Sequence, residues 1–146
     1  MKTNIIYNFM LEEILFVSGK PGLFRLVSKG KNIFIVESLL THKKMPVFMQ
    51  DKVTPLDKIT VYTESNEVPL SSILSKISEK EEGHEIDSKM IDSDNEVLNS
   101  YFSRILPDYD KRLVYPSHIK KILSWYNLLV KEKLVVFVEK NEADKN

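Results

Sequence analysis

The residues of this 146-residue chain best suited to chemistry are basic and aromatic, and they suit the recognition of a polyanion. Lys20, Arg25, Lys29, Lys31, Lys43 and Lys44 fall on predicted turns and strand edges of the first half, with Tyr62, Phe24, Phe34 and Phe48 near them in sequence. Lys120, Lys121 and Trp125 form a second group on a predicted helix near the C-terminal end. Ammonium and guanidinium groups neutralise phosphates, and aromatic rings stack bases, which is how small barrels hold single strands. The competing account is structural: phenylalanines fill the core and lysines keep strand edges from pairing with other chains. Nucleic acid or another protein is the expected partner.

Other constellations fail on spacing. Gly19, Lys20 and Gly22 sit beside an apolar run, but a phosphate-cradling Walker loop needs G-x-x-x-x-G-K-[ST], which is absent, so these residues read as a turn. His42, His84 and His118 stand alone, without the i+4 partner that lets two imidazoles share a metal. Asp92-Ser93-Asp94-Asn95-Glu96 opens like a calcium loop but has Val97 at the sixth position, where glycine is needed, and Ser103 at the twelfth, where glutamate is needed. Glu12 with Glu13 and Asp108 with Asp110 pair carboxylates without converging them, and no G-x-S-x-G elbow occurs. The chain is therefore expected to be no enzyme, with no metal and no cofactor.

The elements that must position these residues begin with Phe9–Val17, whose apolar spacing around Glu12 and Glu13 predicts a short helix closed at Ser18-Gly19. Lys20-Pro21-Gly22 makes a corner. Strands over Leu23–Ser28 and Asn32–Ser38 flank Lys29-Gly30-Lys31 as a glycine turn, with apolar residues on both faces that predict two-sided burial. Met45–Met49 is a third strand, at an edge because Pro46 cannot donate to a ladder. Gln50–Asp57 reads as a loop or helical turn, Ile59–Thr63 as a fourth strand and Glu67–Leu70 as a short fifth. Ser71 is the expected cap of a helix over Ser72–Glu82.

Gly83–Asp92 is polar, acidic and aperiodic, which predicts a linker. Beyond it, Ser93 and Glu96 suggest a capping box for a helix that ends at Pro107, and Ser117 a cap for a helix reaching Lys131. Leu134–Val138 reads as a last strand or as more helix, and the tail from Glu139 as solvated. The expected organisation is a barrel domain with flanking helices over 1–82, an acidic linker over 83–92, a helical hairpin over 93–138 and a disordered tail over 139–146.

Composition bounds the class. With 42% hydrophobic and 29% charged residues the chain is long enough to bury a sizeable core. Zero cysteines remove disulfides, thiolate zinc sites and cysteine nucleophiles together, and suit a reducing cytoplasm. The longest apolar run, Leu134–Val138, is far short of the ~20 residues of a membrane helix. The net charge of zero conceals a pattern in which residues 63–110 are strongly acidic and both flanks basic. That order suits a polyanion-binding barrel with an acidic connector, or segments that attract one another across the fold.

Several runs together carry a resemblance: Ser18-Gly19-Lys20-Pro21-Gly22-Leu23-Phe24, Val36-Glu37-Ser38, Val68-Pro69-Leu70, Ser93-Asp94-Asn95-Glu96, Leu106-Pro107-Asp108-Tyr109-Asp110 and Ile119–Leu129. From about Leu11 to Leu134 the chain resembles a family of small bacterial proteins known as a domain of unknown function. It departs from the Lys-Gly-Leu-Leu ending of that family, reading Glu132-Lys133-Leu134-Val135. The resemblance implies no activity. The expected fold is α+β: a small antiparallel SH3-like barrel with flanking helices, followed by a helical hairpin. The expected function is that of a non-catalytic cytoplasmic binding or adaptor module working through the basic rim of the barrel. A winged-helix DNA binder using Ser117–Lys131 is the first alternative, and a small enzyme of unknown reaction the second.

Overall fold

Glu12 and Glu13 decide how the fold begins. In the computed structural model, which describes residues 4–9, 11–48 and 50–140, they are exposed at a turn in which the Ile14 N–H donates to the Leu11 oxygen at 3.2 Å. The expected helix over Phe9–Val17 is instead the end of one strand, β1 (Asn4–Phe9), and the whole of another, β2 (Ile14–Val17), with Met10 outside the described residues. A four-residue apolar run does not distinguish helix from buried strand by period. Pairing on both sides decides it here.

The neighbours of β2 are β3 (Phe24–Gly30) and β6 (Val53–Pro55), and β4 (Ile33–Ser38) and β5 (Lys44–Phe48) complete an antiparallel sheet in the order β5-β4-β3-β2-β6. Asn32, not Gly30, supplies the positive φ of the β3–β4 turn, at 63°. Pro46 lies on edge strand β5, as expected; Met49 is outside the described residues.

The sheet is not closed into a barrel. A flat five-stranded sheet would hold its edges ~19 Å apart. Yet β5 and β6, at opposite edges, are joined by a tight turn in which the Asp51 N–H donates to the Phe48 oxygen at 2.9 Å. The sheet must therefore curl, and Leu15, Val17, Phe24, Val36 and Val47 form a small core on one face. Two-sided burial, expected of the hairpin strands, occurs at β2, outside that hairpin, where Ile14 joins the large core and Leu15 the small one. It fails along β3, where the pairing slips between Leu26 and Ser28 and leaves Val27 exposed.

After a one-turn 3-10 helix at Leu56–Lys58, β7 (Thr60–Tyr62) and β8 (Glu67–Pro69) pair as a separate two-stranded sheet rather than as fourth and fifth strands of a barrel. Helix α1 (Leu70–Glu81) starts directly after Pro69, ahead of the expected cap Ser71, because Leu70 spends its N–H on the Ile59 oxygen at 2.9 Å. The segment expected as an acidic linker carries the one-turn helix α2 (Ser88–Ile91) and buries Ile86 and Ile91.

Helix α3 (Asn95–Ile105) is capped by Asp94, whose Oδ1 accepts from the Val97 N–H at 3.0 Å; Ser93, the expected cap, turns its hydroxyl to the Lys89 oxygen at 2.7 Å. Helix α4 (Pro116–Lys131) takes Pro116 as its first residue, where a missing N–H does no harm, so Ser117 lies inside it. The Tyr115 N–H is met by His118 Nδ1 at 3.1 Å.

The last strand, β9 (Val135–Lys140), resolves the choice left open at Leu134–Val138 and pairs antiparallel with β1, Asn4 facing Lys140. Glu139 and Lys140, expected in the tail, belong to this ladder; residues 141–146 lie outside the described residues. One large core runs from Leu11 and Leu23 through Ile73, Ile77 and Phe102 to Tyr126 and Leu134, binding the sheet to all four helices.

Candidate functional site

Two glycines shape the corner between β2 and β3. Gly19 and Gly22 take φ of 83° and 75°, a region that costs a side chain energy, and Lys20 is held between them by its N–H bond to the Val17 oxygen at 3.1 Å. Gly22 is also closely packed: a Cβ there would lie 2.6 Å from Leu40 Cδ1, with Leu128 of α4 next at 3.7 Å. The corner therefore faces α4.

Helical period does the rest. Ile119, Ile122, Leu123, Tyr126 and Leu129 bury one face of α4, and that rotation places Ser117, Lys120, Lys121, Ser124, Leu128 and Lys131 along an adjoining stripe at i, i+3, i+4, i+7, i+11 and i+14. The stripe and the Lys20 corner enclose a groove of about 840 Å³ whose floor includes Phe16 and Trp125. Four lysines line it against Glu85. Lys120 also reaches Asp92 Oδ1 at 3.6 Å, an exposed pair that holds its charge weakly. Lys121 lies 5.0 Å over the Phe16 ring, and Phe16 meets Trp125 with ring centres 5.4 Å apart.

A smaller cavity of about 240 Å³ adjoins the groove, with Lys121 and Trp125 in the walls of both. Ile59, Val61 and Tyr62 form one side of it, and Leu113, Val114, His118 and Ile122 the other. The loop from Asp108 to Val114 is fastened over it. Glu64 donates its N–H to the Asp108 oxygen, Asp110 its N–H to the Tyr62 oxygen, and Thr63 bridges to Tyr109. The Asp110 carboxylate accepts from the Arg112 side chain at 3.4 Å and from the Arg112 N–H at 2.9 Å, and these bonds hold its pKa below the ordinary carboxylate value. Across the molecule, burial and the Glu81 carboxylate at 2.6 Å raise the Tyr101 phenol well above its usual range.

The residues singled out from sequence are thus divided. Lys20, Lys120, Lys121 and Trp125 meet in the groove, and Tyr62 borders the adjoining cavity. Lys29 and Lys31 are exposed at the far end of the β3–β4 hairpin, seven strand residues from the corner, a run of about 20 Å. Arg25 and Lys44 flank Glu37 across the sheet, and Lys43 is exposed on the turn before β5. Phe24 is buried and Phe34 packs on the small core, whereas Phe48 is exposed. Sequence reasoning did not single out Phe16 for the site, nor Ser117, Ser124 and Lys131, which entered it only as part of the whole helix Ser117–Lys131 in the winged-helix alternative. The last three share the helical spacing of Lys120, the signal that could have found them.

Two family models match in succession, both domains of unknown function: DUF5606 over residues 11–56 and DUF6852 over residues 59–129. A protein from Bacteroides vulgatus, known from a solution NMR structure, is 42% identical, with 88% of this chain and 92% of that one covered and a TM-score of 0.70. The chain belongs to that protein's family. No curated protein matches it. The DUF5606 segment contributes Phe16 and the Lys20 corner, and the DUF6852 segment contributes α4 as far as Leu129, so the groove forms where the two segments face each other. Among the described residues no group of three or more His, Asp or Glu could hold a metal, and no helix is long and apolar enough to cross a membrane.

Proposed function

We propose that the protein is a non-catalytic cytoplasmic binding module that takes an acidic segment of a protein partner in the groove between the Lys20 corner and α4. The observation that carries this reading is the convergence of Lys20, Lys120, Lys121 and Lys131, brought from distant parts of the chain to one groove. Opposite charge across an interface steers the encounter and selects the partner. A protein is favoured over a single-stranded nucleic acid because stacking needs open ring faces. Phe16 packs against Trp125 at a tilt of 53° with Lys121 over its ring, and Trp125 is only 7% exposed. Of the expected basic rim, Lys20 lines this groove, whereas Lys29 and Lys31 lie at the far end of the β3–β4 hairpin.

The test is anisotropy of labelled oligoglutamate, oligothymidylate and duplex DNA with wild-type protein, Lys120→Glu/Lys121→Glu and Lys29→Glu/Lys31→Glu. Oligoglutamate should bind wild type best and weaken with salt, lose roughly tenfold or more in the α4 double variant, and be unchanged in the hairpin variant. A preference for either nucleic acid, or loss confined to the hairpin variant, would overturn the reading.

A further inference from the structure

The smaller cavity beside Trp125 has a chemistry the lysine groove lacks. Apart from Thr60, His118 and Lys121 its walls are hydrocarbon or aromatic, and its mouth is edged by Tyr62 and Leu113, 48% and 50% exposed. Large apolar side chains left in water around a concave, largely preformed pocket mark an interaction site. The loop that carries Leu113 is fastened to β7 through the Asp110–Tyr62 and Glu64–Asp108 backbone bonds, so the cavity is built into the fold. Lys121 and Trp125 border it on one side and the groove on the other, which makes the two spaces neighbours along α4.

Resting on the groove reading, we infer that the occupant is an acidic peptide segment with one bulky apolar side chain, leucine or phenylalanine in type, which enters the cavity beside Trp125 while its carboxylates meet Lys20, Lys120, Lys121 and Lys131. Charge complementarity sets the acidic character and cavity size sets the anchor. A cavity of about 150 Å³ accommodates benzene, and this one, at about 240 Å³, has room for a phenyl or isobutyl group. Because Lys121 lies in both walls, a carboxylate within about two residues of the anchor reaches it in an extended peptide. The anchor discriminates among acidic sequences, which the lysines alone attract without distinction.

The experiment uses the full chain and four labelled peptides: oligoglutamate, and the same peptide with one central Ala, Leu or Phe. Trp125 is the sole tryptophan, so its emission reports on the cavity wall directly. The Leu and Phe peptides should bind about tenfold or more tighter than the Ala peptide and shift Trp125 emission to shorter wavelength. Leu113→Ser and Tyr62→Ser, both at exposed positions, should remove that gain while leaving oligoglutamate affinity unchanged. Equal affinity for the Ala, Leu and Phe peptides, or a gain that survives both variants, would overturn the anchor and leave the groove standing. No binding by any peptide would overturn both.

Discussion

Lys121 Nζ lies 5.0 Å from the centre of the Phe16 ring, and through that contact helix α4 rests on strand β2. The same ring meets Trp125, so a cation and an indole share one phenylalanine at the place where groove and cavity adjoin. Phe16→Leu keeps apolar bulk and removes both ring interactions. It should lower stability by about 1–2 kcal/mol, the combined size of an aromatic pair and an exposed cation–π contact. Trp125 emission should change with it. An unaltered spectrum would mean that the two rings are not in contact in solution.

Asn127 holds the segment between α1 and α3 by its backbone. Its Oδ1 accepts from the Ile86 N–H at 2.7 Å and its Nδ2 donates to the Ile86 oxygen at 2.8 Å, as a neighbouring strand would. Ile86 is buried, so Asn127→Ala leaves a donor and an acceptor unpaired together, at about 1–3 kcal/mol each. Hydrogen exchange at the Ile86 amide should accelerate along with the fall in melting temperature. Wild-type protection there would show that the clamp does not form.

The two corner glycines should respond differently to the same change. Gly19→Ala meets strain from positive φ alone, since nothing lies within 4 Å of the added Cβ. About 1–2 kcal/mol is expected. Gly22→Ala adds a clash with Leu40 at 2.6 Å and should lose more, with Leu40 displaced toward solvent and the groove altered beside Leu128. Denaturant midpoints of the two variants check the order, and equal losses would remove the close approach as a cause.

Asp110 gives a pH dependence of definite sign. Its folded pKa is lowered, first by the Arg112 side chain and then by the Arg112 backbone N–H. Its contribution is therefore present above the unfolded carboxylate pKa of about 3.9 and is lost as pH falls through the lowered folded value. Asp110→Asn should be less stable at neutral pH and should show a shallower loss of stability in that acid window. Urea midpoints against pH measure this, and parallel acid limbs for the two proteins would contradict it.

How much of this could be read in the sequence depends on whether a signal was local. The β4 and β5 strands, the edge position of Pro46 and the helices with clear 3.6 periodicity, such as Ile119 to Leu129, were legible because each residue's burial follows from its neighbours in the chain. Phe9–Val17 reads as helix because helix and buried strand share the same apolar run, and only long-range pairing, of Phe9 with β9 and of Ile14–Val17 with β3 and β6, separates them. The expected caps lie one or two residues off: at α3 Asp94 rather than Ser93 takes the capping bond, and at α4 the helix begins at Pro116 with Tyr115 at the cap position, ahead of Ser117. The open sheet escaped notice because closure is decided by how far β5 and β6 approach each other, which no local pattern encodes. In the site, Lys20 is legible within the first basic group and Lys120, Lys121 and Trp125 within a second, but not the two groups together. Their meeting follows from the docking of α4 against the β2–β3 corner, a long-range packing outcome.

The most direct test of the groove as the binding surface is a titration of the labelled protein with oligoglutamate, followed by the backbone amide resonances. Shifts should concentrate at Gly19, Lys20 and Gly22 and along Ser117–Lys131, and should diminish as salt is raised. Shifts centred on Lys29–Lys31, or none at saturating peptide, would contradict the account.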